Sequence, residues 1–147
     1  MNRGFLICHA SLLCDKETLG ELYPEEFYTV YKANNYLVIS AKSSGSVGTP
    51  DFFKIPFDSN LQIFVYGYIT YPLKIDWRTA NREDRLTTEI SHNRNMHYFI
   101  NKSNDLNGSF TLIRISIDDE IVIFTDRLGT RPVYYSQLNG QWVVSSS

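Results

Sequence analysis

The chain is short of cysteine, of long apolar runs and of unbalanced charge, and each shortage removes a class of function. Its two cysteines, Cys8 and Cys14, lie near one end, and with no second pair they build neither a disulfide framework nor a zinc site. Both are expected to be free thiols, Cys8 buried, and no metal or cofactor is implied. Fourteen Lys and Arg against sixteen Asp and Glu give a formal charge of -2 and a pI near 5.9. No basic block with interleaved aromatics is present, so a nucleic-acid partner has no electrostatic footprint. Apolar stretches such as Ile121 to Phe124 fall far below the roughly 18 to 20 residues that span a bilayer, and the start lacks the charged and apolar regions of a secretion signal. No membrane span is expected, and the expected compartment is the cytoplasm.

What is present is ample apolar material. With 147 residues, of which 43% are hydrophobic and 20% charged, the chain suits one domain over 1–147 with one core. No repeat, charge run or linker divides it. Arg3 to His9 reads as a buried strand, because Phe5, Leu6, Ile7 and Cys8 run continuously rather than alternating. Lys16 to Lys32 has roughly helical spacing interrupted by Gly20 and Pro24, which predicts a broken helix or two short ones. Tyr36 to Ala41 is a strand, and Lys42 to Pro50 a Ser/Gly loop. Gln62 to Thr70 is another strand, with Gly67 marking a bulge or a close backbone approach.

Glu83 to Lys102 has the best helical pattern, with Leu86, Ile90, Met96, Phe99 and Ile100 near one face, and is expected to pack across a sheet. The final third alternates strand and turn: Gly108 to Ile117, the acidic turn Asp118-Asp119-Glu120, Ile121 to Asp126, a turn at Leu128 to Arg131, Val133 to Gln137, Asn139-Gly140, and Trp142 to Ser145. Asn and Gly both tolerate positive φ, which makes Asn139-Gly140 a strong hairpin signal. An antiparallel meander is expected.

Five of these segments carry motif-like residues in a definite order: Tyr66-Gly67-Tyr68-Ile69-Thr70-Tyr71, Thr87-Thr88-Glu89, Leu106-Asn107-Gly108-Ser109-Phe110, the acidic hairpin Ile117 to Glu120, and Asp126-Arg127-Leu128-Gly129-Thr130-Arg131-Pro132-Val133-Tyr134-Tyr135. That order resembles the N-terminal-nucleophile glutaminase domain of asparagine synthetase and its relatives. There a strand with Asn-Gly-Glu-Ile-Tyr-Asn precedes a helix opening Asp-Thr-Glu, then Leu-Asn-Gly-x-Phe, an acidic hairpin, and Asp-Arg-Leu-Gly-x-Lys-Pro-Leu-Tyr-Tyr. The resemblance covers a little over half the chain, from about Gln62 onward, and does not extend over about Asp15 to Asn60.

The resemblance divides by role. The turn of Leu-Asn-Gly and the loop Asp126, Arg127 and Gly129 are scaffold features and are intact; Asp126 and Arg127 are expected to be partly buried and bonded to backbone. The glutamine site is not intact. The family's nucleophile is a cysteine whose own α-amine is its base; aligned on Gly4, that position holds Arg3, whose guanidinium has no accessible lone pair. Tyr66 replaces the asparagine that holds the oxyanion, Tyr68 the neighbouring glutamate, and Thr87 the carboxylate that anchors the substrate's amino group. Arg3, Tyr66, Gly67, Tyr68 and Thr87 therefore define a vestigial substrate site, expected to be filled or shallow.

Other candidates weigh less. Cys8 and His9 are neighbours on a strand and point to opposite faces; only processing before Cys8 would make it an amino-terminal nucleophile. Ser43-Ser44-Gly45-Ser46 lacks the second Gly and the Asp of a pyrophosphate loop. His92 and His97 point about 140° apart on a helix, not at one metal. Tyr66, Tyr68 and Tyr71 could line a pocket, although a core-covering role suits them better. The fold the resemblance implies is α+β, a reduced antiparallel sandwich of the N-terminal-nucleophile hydrolase type with helical cover. The implied function is a catalytically inactive scaffold or binding module for an ATP-dependent synthetase domain or subunit, with a peptide substrate and a homodimer as further partners. The alternative is an active amidohydrolase using a different nucleophile such as Cys8.

Overall fold

The structure, a computed structural model, describes residues 4–13, 15–42, 52–55, 61–70 and 107–146. Nine strands and one short helix occupy them: β1 (Phe5–His9), α1 (Lys16–Leu22), β2 (Tyr28–Ala33), β3 (Tyr36–Ala41), β4 (Phe52–Ile55), β5 (Leu61–Thr70), β6 (Asn107–Ser116), β7 (Ile121–Thr125), β8 (Tyr134–Leu138) and β9 (Gln141–Ser145). They form two antiparallel sheets, one in the order β2-β3-β1-β9-β8 and one in the order β4-β5-β6-β7.

The described residues are therefore mostly β, with one helix of seven residues, and this corrects the expected α+β sandwich with helical cover. Two misread segments account for part of the difference. Over Lys16 to Lys32 the helix stops at Leu22, just before Pro24 disfavours further α backbone, and Tyr28, Thr29, Val30 and Tyr31 continue as β2. β4 was hidden behind a Ser/Gly loop. The helix expected over Glu83 to Lys102 lies outside the described residues, as do Arg3, Cys14, Ser43 to Ser46, Tyr71, Thr87, His92 and His97.

The two sheets meet through aromatic rings. On the five-stranded sheet Phe5, Ile7, Tyr36, Val38 and Val144 share one face; on the other sheet Phe52, Phe64, Ile113 and Ile115 oppose them in a single apolar cluster. Ring centroids lie 5.7 Å apart for Phe5 and Phe52, 5.4 Å for Phe5 and Tyr66, and 5.3 Å for Tyr31 and Phe64. Such tilted and edge-on contacts add to the area these rings bury. The four-stranded sheet is buried on both faces, since Ile63, Val65, Phe110 and Leu112, which point away from this cluster, are equally inaccessible. That explains the near-continuous apolar runs of β5 and β6.

Turns pin the sheets to each other. Asn34 sits at φ 53° and Asp119 at φ 59°, each ending a hairpin. Asn34 Nδ2 donates to the Ser116 carbonyl, and Asn35 donates from its main chain at 3.2 Å and its side chain at 2.6 Å to the Asp119 carboxylate. The expected meander of the final third is also corrected: β6 and β7 belong to one sheet, β8 and β9 to the other. The segment between Asp126 and Val133 is the crossing.

Phe64 is fully buried among these rings, so Phe64→Ala is expected to cost about 3–5 kcal/mol. Leu128→Ala, at a side chain 87% exposed, should stay within about 0.5 kcal/mol of the parent. Urea denaturation of both variants checks the contrast; equal midpoints would contradict this core.

Candidate functional site

The site grows out of the end of β7. Asp126 continues the ladder, its N–H donating to the Phe110 carbonyl at 3.0 Å, and its carboxylate then turns back on the loop it begins. Oδ1 accepts from the N–H of Leu128 at 3.0 Å and of Thr130 at 3.3 Å. Oδ2 accepts from the Phe110 N–H at 3.2 Å and the Thr130 hydroxyl at 2.6 Å. The carbonyl of the same residue takes the Gly129 N–H at 3.0 Å, with Gly129 at φ 59°, a conformation suited to Gly. Burial pushes the Asp126 carboxyl upward, but the bonds from Thr130, Leu128 and Phe110 together outweigh it and hold the acid below its ordinary range. Occupied by four donors, this carboxylate is a clamp and not a base.

What the clamp delivers is Arg131. Its Nε donates to the Ser109 carbonyl at 3.0 Å and its carbonyl accepts from the Thr111 hydroxyl at 3.2 Å. The guanidinium carbon lies 4.8 Å from the centre of the Tyr66 ring, within cation–π range, and Tyr66 in turn stands edge-on to Phe5. Beside it Gly67 is buried at φ 105°, and a Cβ there would overlap the Ser109 carbonyl and the Arg131 side chain. The β5–β6 ladder runs through Gly67 opposite Phe110 without a break. Of the two roles expected for this glycine, close approach applies and a bulge does not.

Five residues were singled out for the vestigial substrate site. Tyr66 and Gly67 stand together under Arg131. Tyr68 is paired with Ser109 in β5, its side chain lying outside the description, and Arg3 and Thr87 lie outside the described residues. Of the loop residues Asp126 is buried, whereas Arg127 is exposed, which corrects the expectation of burial for both. Arg131, Ser109 and Thr130 were missed. The signal for Arg131 was its place where the motif of the resemblance has a lysine; the signal for its position was Gly67, since a glycine inside a strand leaves room for a neighbour.

One hydroxyl meets a histidine among the described residues: Ser11 Oγ lies 2.7 Å from His9 Nδ1, a local contact across an exposed turn in which the same nitrogen takes the Ser11 N–H. Cys8 is buried in the middle of β1 between Leu37 and Val143, and burial raises its thiol pKa, so it is poorly ionised and inaccessible. His9, on the opposite face of the strand, stands edge-on to Tyr36 and caps the turn Ala10–Leu12, accepting from the Ser11 N–H at 3.2 Å. No group of three potential metal ligands occurs among the described residues. Nor is any described helix long and apolar enough to cross a membrane. A cavity of about 490 Å³ opens between α1 and β2, lined by Lys16, Leu19, Tyr23, Tyr28 and Lys42 among others, and none of its lining residues belongs to the Gly67 site.

Three variants test the clamp and the close approach. Asp126→Ala should cost about 1–3 kcal/mol by leaving the buried Phe110 N–H unpaired and releasing the part-buried donors of Leu128 and Thr130. Because the folded pKa is depressed, this contribution is complete above the unfolded carboxylate value of about 3.9 and is lost as pH falls through the lower folded value; thermal melts of parent and variant should converge on acidification. Gly67→Ala should destabilise through strain and overlap, whereas Gly20→Ala, in α1 with open space at its Cβ, should stabilise by about 0.5–1 kcal/mol. Shifts of the same sign for the two glycines would contradict the packing described.

Comparison with protein-family models and with curated proteins finds no match for this chain.

Proposed function

We propose that this chain is a catalytically inactive glutaminase-like domain of the asparagine synthetase type, acting in the cytoplasm as a scaffold or binding module for an ATP-dependent amide-forming synthetase domain or subunit. The observation that supports the reading is convergence. Of the four resemblance motifs with described residues, three meet: Gly67, Ser109 with Phe110, and Asp126 with Arg131 touch one another, while the acidic hairpin lies apart and its Asp119 bonds Asn35.

The same point supports inactivity. Arg131 lies across Tyr66 and against Gly67 on the strand segment that the resemblance assigns to substrate, and Arg3 stands where the resemblance places the nucleophile. A filled pocket still offers shape and charge to a macromolecule, and Tyr and Arg are residues that interfaces favour. The partner expected is the synthetase, with the peptide it acts on as a further contact.

Two measurements test the reading. Ammonia release from glutamine by the purified chain should not exceed that of a Cys8→Ala, Cys14→Ala control; release above that control sinks the inactive assignment. Titration calorimetry against a synthetase domain bearing a Ser-Gly-Gly-x-Asp-Ser pyrophosphate loop should give saturable binding, and its absence would count against the scaffold role.

A further inference from the structure

Among the described residues the five-stranded sheet ends at β8, an edge strand that carries none of the usual protection within its span. Free edges expose unpaired N–H and C=O groups, and proteins blunt them with charge, proline or cover. β2 carries Lys32, β4 carries Lys54, and β7 follows directly on Asp118, Asp119 and Glu120. β8 has neither charge nor proline within its span, Arg131 and Pro132 preceding it. Each of its residues is exposed, Tyr135 by 74%, Tyr134 by 59% and Leu138 by 55%, and no charged residue occurs between Arg131 and Ser146.

The hairpin geometry says which groups are on offer. Asn139 at φ 51° and Gly140 at φ 75° make a type I′ turn, closed by the main-chain bond between Leu138 and Gln141. Bonded and non-bonded pairs alternate along an antiparallel ladder. Tyr134, Ser136 and Leu138 therefore bond to β9, and the N–H and C=O groups of Tyr135 and Gln137 face outward.

We propose that β8 is the surface through which two copies of this chain associate, pairing antiparallel about a two-fold axis at Ser136 and joining their five-stranded sheets. This register satisfies the free groups, because Tyr135 of one copy exchanges both main-chain bonds with Gln137 of the other. Side chains match as well. Tyr134 meets Leu138 on one face, Tyr135 meets Gln137 on the other, and Ser136 lies opposite its own copy. Self-pairing sets Ser136 against its own copy, so a charge at that position would face its like; β8 is uncharged throughout. A strand shaped for a charged foreign partner would carry complementary charge. The inference does not depend on the synthetase reading.

The test uses the register. Sedimentation equilibrium of the chain should give a mass rising toward twice 17.0 kDa with concentration. Ser136→Lys and Ser136→Glu each place like charges across the axis while sparing the bonds within the hairpin, and each should raise the dissociation constant by about tenfold or more. Their equimolar mixture should regain association, since Lys then faces Glu. Far-UV circular dichroism confirms that both variants fold. A parent chain that stays monomeric at every concentration overturns the proposal, as do variants that associate like the parent or a mixture that stays as weak as its components.

Discussion

The buried carboxylate of Asp126 is the constraint on which the arrangement around the site depends. It ends β7, bonds to the Phe110 backbone in β6, and gathers the N–H groups of Leu128 and Thr130 into a tight loop. A loop so held leaves in a fixed direction, which carries the chain from the four-stranded sheet to the edge of the five-stranded one. Arg131 follows within the same loop and is thereby aimed at Ser109 and Tyr66. Remove the carboxylate and four donors, the buried Phe110 N–H among them, lose their acceptor at once.

Gly67 is the complementary half of that arrangement. A strand residue with a side chain could not lie beneath the Ser109 carbonyl and the Arg131 guanidinium, so the glycine and the arginine are coupled choices. Together with Tyr66 and Phe5 they form a continuous stack from the loop into the core between the sheets. The segment around Gly67 is in this way part of the fold's own packing.

Much of this was legible in the sequence, and the failures have reasons. β1, β3, β5, β6 and β7 announced themselves through dense β-branched and aromatic content, and Asn139-Gly140 through its tolerance of positive φ. The alternation of Cys8 and His9 across a strand already argued against a dyad. β2 was misread because Leu19, Leu22, Phe27, Val30 and Tyr31 fit a helical period loosely, although Leu22 and Phe27 are in fact largely exposed. The division of the last hairpins between two sheets could not be read locally, since it depends on the direction in which the Asp126 loop releases the chain. The expected helical cover gave way to a mostly β structure over the described residues. Arg131 was passed over because an arginine after a Gly-Thr turn looks like an ordinary surface residue until the glycine it packs against is known.

The central claim is that the segment around Gly67 is closed by Arg131 and holds no glutamine. The most direct measurement is an amide NMR titration of the chain with glutamine, following the resonances of Gly67, Ser109 and Thr130. The account predicts no saturable shift at any of them. Saturable shifts confined to these residues would mean that Arg131 yields to the ligand, and would contradict the claim.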